Sequence, residues 1–303
     1  MYRFAIASAA LLFGGQLAYA QQCDTAGGVV INEIYPNAEG SDTDKEWVEI
    51  VNNGQVQMDI SGWTLWAGTS SYNTSFELPP GTFIGPGQHI HLGGPLAIPT
   101  PQIIYPTGLS MGNAASSCDA IQLRDCNGVV SDTVVYGPNN TDLWLDDNGR
   151  EATCAPPPNS EQALGRVTSG MDTDNLSEDF DWYAVGDETP GGANWFKIWA
   201  DTPLTAGAPA NVYVRGALDG TTVYFAASLV GEGAGTCYPQ LSDTCVDILS
   251  PTTLLGNAVS DATRRATFNA NVPAQLSGSD VWLQAGVPGQ MPYKSIVWMN
   301  TIQ

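Results

Sequence analysis

The sequence predicts an all-β protein built as two immunoglobulin-like β-sandwiches in tandem, following a signal peptide. Three observations point there. The chain of 303 residues has room for two domains of ordinary size. It is rich in Gly (33) and Pro (20), with many Thr, Val and Trp residues between them. Its apolar residues alternate over short runs, with almost no helical periodicity.

Residues 1–20, "MYRFAIASAALLFGGQLAYA", read as a secretory leader. Arg3 supplies the basic start, an apolar run reaches about Leu17, and "AYA" is a small-x-small cleavage site after Ala20. "YAQQC" is a poor lipoprotein box, because Gln21 and Gln22 stand where small residues belong. The expectation is a soluble secreted or cell-surface protein, since no later run is long and apolar enough to span a bilayer.

Strands are then expected at Val29–Tyr35, Trp47–Asn52, Met58–Leu65, Ser75–Leu78, His89–Leu92, Ala120–Asp125 and Val129–Tyr136. "NNG", "PPG", "GPGQ" and "CNG" provide the turns between them. In "RDCNGVV", Asn127-Gly128 is placed for a type I′ hairpin. From Gly137 to Asn194 strand signals are sparse, and the stretch reads as an ordered acidic trailer on the first sandwich. The Pro-Gly-Gly of "TPGGAN" puts a boundary near Asn194, dividing the mature chain into 21–194 and 195–303. Seven further strands follow: "WFKIWAD", "ANVYVRGA", "TVYFAASL", "CVDILS", "ATFNANVP", "DVWLQAGV" and "KSIVWMNTI".

Six cysteines in an exported chain read as disulfides. Cys237 and Cys245 lie close enough for a local staple. For the other four, Cys118–Cys126 is disfavoured, because "CDAIQLRDC" as a strand would hold its ends ~26 Å apart. Of the two remaining connectivities, the preferred one joins Cys126 to Cys154 and Cys23 to Cys118. No CxxC spacing supports a zinc site. Acidic residues outnumber basic ones 31 to 10. Such a surface repels phosphate backbones, which makes nucleic acid a poor partner, and suits calcium.

Five motifs occur in one order: "VVINEIYPN", "EWVEIVNNG", "MDISGWTLW", "LPPGTFIGPGQHIHLG" and "DAIQLRDCNGVVSDTVVYG". Together, over Val29 to Gly137, they resemble the lamin tail domain in its secreted bacterial form. The trailer "DTDNLSEDF…TPGGAN" is similar to the tail that often follows this domain. The resemblance implies an immunoglobulin-like sandwich that serves as an accessory or surface module. The chain departs from the hydrolase-linked pattern in leaving no room for a catalytic domain.

Glu33, Glu46 and Glu49 are the first chemical candidates. Strand parity puts Glu46 with Val48 and Ile50, and Glu49 with Trp47 and Val51. The two therefore face opposite sides and cannot flank one glycosidic bond. Glu33 could pair with either across strands. The plain alternative is that these carboxylates accept backbone N–H groups and pin loops. "DTDNLSEDFD" offers closely spaced oxygen ligands for calcium, with Asp172, Asp174, Asn175 and Asp179 as the expected set and a solvated loop as the alternative. Asp42 and Asp44 form a weaker cluster. His89 and His91 share a strand face, expected to be exposed, without a third ligand nearby. No GxSxG elbow supports serine catalysis. Of nine tryptophans, Trp63 reads as core, whereas Trp66 and Trp144 are the candidates for ligand contact.

The expected function is that of a non-catalytic binding protein outside the cell, ordered by calcium, with an extracellular protein or glycan as partner. The alternatives are a carbohydrate-binding module and a carboxylate-metal hydrolase.

Overall fold

The computed structural model describes residues 23–42, 44–106, 108–183, 186–290 and 294–303. The expected signal peptide lies outside these residues. The first half contains strands β1 (Val29–Tyr35), β2 (Trp47–Asn52), β3 (Met58–Asp59), β4 (Thr64–Gly68), β5 (Thr74–Glu77) and β6 (Phe83–Ile84). β7 (His89–Gly93), β8 (Ile103–Ile104), β9 (Asp119–Arg124), β10 (Val130–Tyr136), β11 (Ala163–Arg166) and β12 (Phe180–Tyr183) follow, with the one-turn helix α1 (Leu176–Asp179) before β12. A six-stranded sheet, β12-β11-β1-β2-β7-β8, faces a four-stranded sheet, β10-β9-β4-β5. Val48 and Ile50 of β2 enter the core between them, beside Ile31, Trp63, Leu65 and Ile121. Trp47, on the opposite face of β2, packs with Ala97, Ala163 and Tyr183.

The expected Met58–Leu65 strand is broken in two. Trp63 N–H bonds Ile60 O across a turn at Gly62, whose φ is 74°. The trailer adds more than coverage, because β11 pairs with β1 and extends the larger sheet. The hairpin after β9 is not type I′, which needs positive φ at both central residues. Gly128 has φ 81°, while Asn127 is not among the positive-φ residues. Asp125 Oδ1 instead accepts N–H bonds from Asn127 and Val129, an Asx-type closure.

The second half contains β13 (Lys197–Ala200), β14 (Pro209–Arg215), β15 (Thr222–Ser228), β16 (Cys237–Tyr238) and β17 (Thr244–Cys245). β18 (Thr252–Val259), β19 (Arg265–Asn271), β20 (Asp280–Gly286) and β21 (Trp298–Thr301) complete it. Sheets β13-β14-β19 and β18-β15-β20-β21 enclose a second apolar core. Of "CVDILS" only Cys245 lies in a strand, at the end of β17. Two strands of this half were missed, the two-residue β16 and the long β18, "TTLLGNAV", where adjacent leucines and Gly256 spoil the alternation. A register shift between Phe225 and Ala226 marks the same irregularity on its partner.

The disulfides join Cys23 to Cys126, Cys118 to Cys154 and Cys237 to Cys245, with Cα separations of 6.4, 6.6 and 3.7 Å. This corrects the expected pairs Cys126–Cys154 and Cys23–Cys118. β9 and β10 run antiparallel, so Tyr136 lies opposite Asp119, next to Cys118. Ala155 bridges Tyr136, which brings Cys154 to the Cys118 end. Ala26 N–H bonds Asp125, holding the chain after Cys23 at the Cys126 end.

The halves meet through opposite charges. Arg264 contacts Asp179 at 3.0 Å, Arg215 contacts Glu178 at 3.1 Å, and Lys197 contacts Asp181 at 3.4 Å. Gly216 lies so close that a Cβ there would sit 2.2 Å from Val167 O.

Candidate functional site

Glu33 and Glu49 are directly opposite on β1 and β2, and His91 on β7 is opposite Glu49. A register irregularity between Ile31 and Glu33 lets successive residues, Asn32 and Glu33, both reach the loop 189–194. Glu33 Oε2 accepts the Thr189 N–H and hydroxyl, each at 3.1 Å. Glu49 Oε2 accepts the N–H groups of Gly191 and Gly192. Asn32 Nδ2 donates to Glu49 Oε1 at 2.7 Å and Asn194 Oδ1 at 2.8 Å. Its Oδ1 accepts from Ser169 Oγ and Gly170 N. Asn194 Nδ2 donates to Arg166 O at 2.8 Å. Gly165 makes room for this, since a Cβ there would meet Asn194 Nδ2 at 2.6 Å.

Glu33, Glu49 and Asn32 are fully buried. Burial, with Glu49 adding repulsion, holds the Glu33 pKa well above the ordinary range. Burial pushes Glu49 up to about 8, against the donors from Asn32, Gly191 and Gly192. The "TPGGAN" loop, read as a boundary, is thus the lid that these carboxylates hold down.

Glu46 points to the other face, where its Oε1 accepts Met111 N–H at 3.2 Å. Burial, together with Asp42, pushes it up to about 7. The histidines are not on an exposed face. His91 is 2% exposed and edge-on to Trp47, with ring centroids 5.1 Å apart. Burial takes it down to about 4. His89 is half-buried, with Nε2 2.9 Å from Ser169 Oγ.

The expected calcium set is rearranged. Asp172 and Asp174 converge, and Asp147, which sequence reasoning missed, joins them with one oxygen from each within 4.8 Å of the others. Burial and the Asp174 carboxyl beside it push Asp147 up to about 7. Asp179 is not available to this cluster. It is buried, accepts from Thr173 N and Thr173 Oγ1, and pairs with Arg264. Asn175 Oδ1 accepts from Ser177 Oγ at 2.8 Å and Thr153 Oγ1 at 3.3 Å.

Behind the cluster lies Arg166, fully buried on β11. It contacts Asp132 at 2.8 Å, Asp172 at 3.2 Å and Asp179 at 3.5 Å, and donates from Nε to Ile31 O. Burial opposes its charge, but these carboxylates outweigh burial and raise its pKa. A lone Arg inside the apolar run "ALGRV", before an acidic loop, was the available signal for this network.

Trp144 is not a ligand aromatic. It is 6% exposed, packs at a tilt against Tyr72 and donates Nε1–H to Cys118 O. Trp66 is half-buried under the Arg124 guanidinium, 4.7 Å from its ring centroid. It borders an open depression of about 490 Å³ shared with Thr64, Glu77, Arg124 and Asn127.

No helix among the described residues is long and apolar enough to cross a membrane. Comparison with curated proteins finds no match. Among solved structures, red sea bream transglutaminase is similar at 7% identity and a TM-score of 0.21, over 92% of this chain and 32% of that one. This chain thus spans about a third of that protein's length, and a likeness that low carries no argument. The family model described as Lamin Tail Domain matches residues 23–138. The strands β1 to β10 fall within the matched residues, and β11 and β12, which complete the larger sheet, lie beyond them.

Proposed function

We propose that this is a secreted or cell-surface, non-catalytic binding protein whose first sandwich is a rigid interaction module. The observation that carries this reading is how the carboxylates are used. Glu33, Glu46 and Glu49 are buried and accept backbone N–H groups, whereas a catalytic pair must reach a substrate bond. The carboxylate-metal hydrolase alternative would need the lid of residues 189–194 to leave. Three disulfides suit an oxidising compartment outside the cell. A whole-cell and glycan-array binding screen on the full chain, run beside a panel of hydrolase substrates, tests the reading. Saturable binding without turnover supports it, and turnover abolished by Glu49→Gln contradicts it.

Calcium fits as a structural ion at Asp147, Asp172 and Asp174, which supply the hard oxygen ligands it requires. Addition of EDTA to calcium-loaded protein then lowers Tm. An unchanged Tm contradicts this part. Asp147 must lose its proton to bind the ion, so the calcium effect fades as pH falls below about 7.

A second reading is favoured by the depression at Trp66. A half-buried aromatic ring beside Glu77, Arg124 and Asn127 suits a saccharide, which packs against the part of the ring that Arg124 leaves uncovered and bonds to the polar neighbours. Trp66→Ala then removes the glycan-array signal and leaves the fold intact. A signal that survives the substitution rules this site out.

A further inference from the structure

We propose that the open end of the second sandwich holds a single aliphatic chain. A cavity of about 340 Å³ penetrates between its two sheets. Its walls include Ala210 and Val212 from β14, Ala227 from β15, Ala270 from β19 and Val281 from β20. Among the described residues, no charged one lines it. The Ser228 hydroxyl, the most buried polar group there, is spent on Leu249 O at 2.6 Å.

The cavity follows from where the sequence places small residues. Along the same strands, one end of the space is filled by Phe225 stacked on Phe268, with centroids 5.4 Å apart. Gly256 allows that stack, because a Cβ would meet Phe268 at 2.5 Å. At the other end the corresponding positions are alanines, with Ala210 directly opposite Ala270 and Ala227 across from them.

Protein interiors contain few voids larger than a water, and the penalty of an empty one grows with its volume. Water is a poor filler, because it needs several polar partners. Apolar atoms suit these walls. Leu229, 49% exposed, and Val230, 51% exposed, continue the apolar lining out to the surface. A ligand entering there is elongated, with its methylenes between the sheets and its polar head in solvent beside Asn271 and Thr253. With no charge in the walls, the chain is recognised and the head group is not.

Titration of the full chain with cis-parinaric acid, read by fluorescence, tests the proposal. One saturable site is expected, and dodecanol and dodecanoate displace the probe within about threefold of each other. Ala227→Phe fills the space and weakens binding at least about tenfold, while the circular dichroism spectrum is kept and Tm rises. Ala270→Leu gives the same pattern if the larger ring does not fold. The absence of saturable binding by the unaltered chain overturns the proposal. So does dodecanoate outcompeting dodecanol by about tenfold or more, or unchanged affinity in the filled variants.

Discussion

The two sandwiches share an architecture and differ in what they bury. In the first, Asn32, Glu33, Glu49, Asp132, Arg166 and Asp179 are all under 2% exposed, and they tie β1 to residues more than a hundred positions away. Among described residues of the second, the buried polar side chains are uncharged: Ser228, Ser260, Gln284 and Ser295. Its interior is apolar and contains a cavity. The first sandwich is therefore specified by long-range polar pins, each costly to leave unpaired, and the second by non-directional packing that tolerates empty space.

The comparison breaks most severely at Arg166. Arg166→Ala leaves Asp132 and Asp179 buried without their shared cation, and chemical denaturation should show the first sandwich losing about 3–5 kcal/mol. The second sandwich contributes none of those carboxylates and should keep its own transition. Asn32→Asp comes next. It replaces the amide that donates to Glu49 and Asn194 with an acceptor, at a cost of about 2–3 kcal/mol in the same measurement. A loss below about half a kcal/mol would show that the network is not stabilising.

A pH series sharpens the contrast. Burial raises Glu33, Glu46 and Glu49 in the folded state, so that state binds more protons than the unfolded chain above pH ~4.3. Their stabilising contribution is complete below that pH and is lost as pH rises towards about 7 for Glu46 and about 8 for Glu49. Thermal melts should show the first sandwich more stable at pH 5.5 than at pH 8, measured without calcium. The smallest expected effect is in the second sandwich, where Ala270→Leu adds about 0.5–2 kcal/mol by filling the cavity.

The extents of β1 and β2 were legible because each is a short run rich in Val and Ile bounded by polar turn residues, although the irregularity between Ile31 and Glu33 was not. β1 and β2 have the bounds the pattern implies, and the opposite facing of Glu46 and Glu49 follows from parity. β18 was illegible because Leu254-Leu255 and Gly256 carry a bulged register that breaks the period of two. The disulfides needed the topology, since only the antiparallel return of β10 tells which end of β9 receives Cys154. Asp147 carried no signal, and the lone Arg166 in "ALGRV" signalled a buried cation without naming its partners. Neither belongs to a local motif, and each acquires its role from a loop or strand that folding brings alongside. The alternative kept open for Glu33 and Glu49, that they pin backbone amides, is the arrangement the fold adopts.

The central claim is that Glu33 and Glu49 hold a lid in place and are not the mouth of an active site. Amide hydrogen exchange at Gly191 and Gly192 measures this directly, since both N–H groups end on Glu49 Oε2. The structural role predicts that they exchange as slowly as the core strands β1 and β2, and that Glu49→Ala releases both. Exchange of these two amides within seconds in the unaltered protein, while β1 and β2 stay protected, would mean that the lid opens freely and would contradict the account.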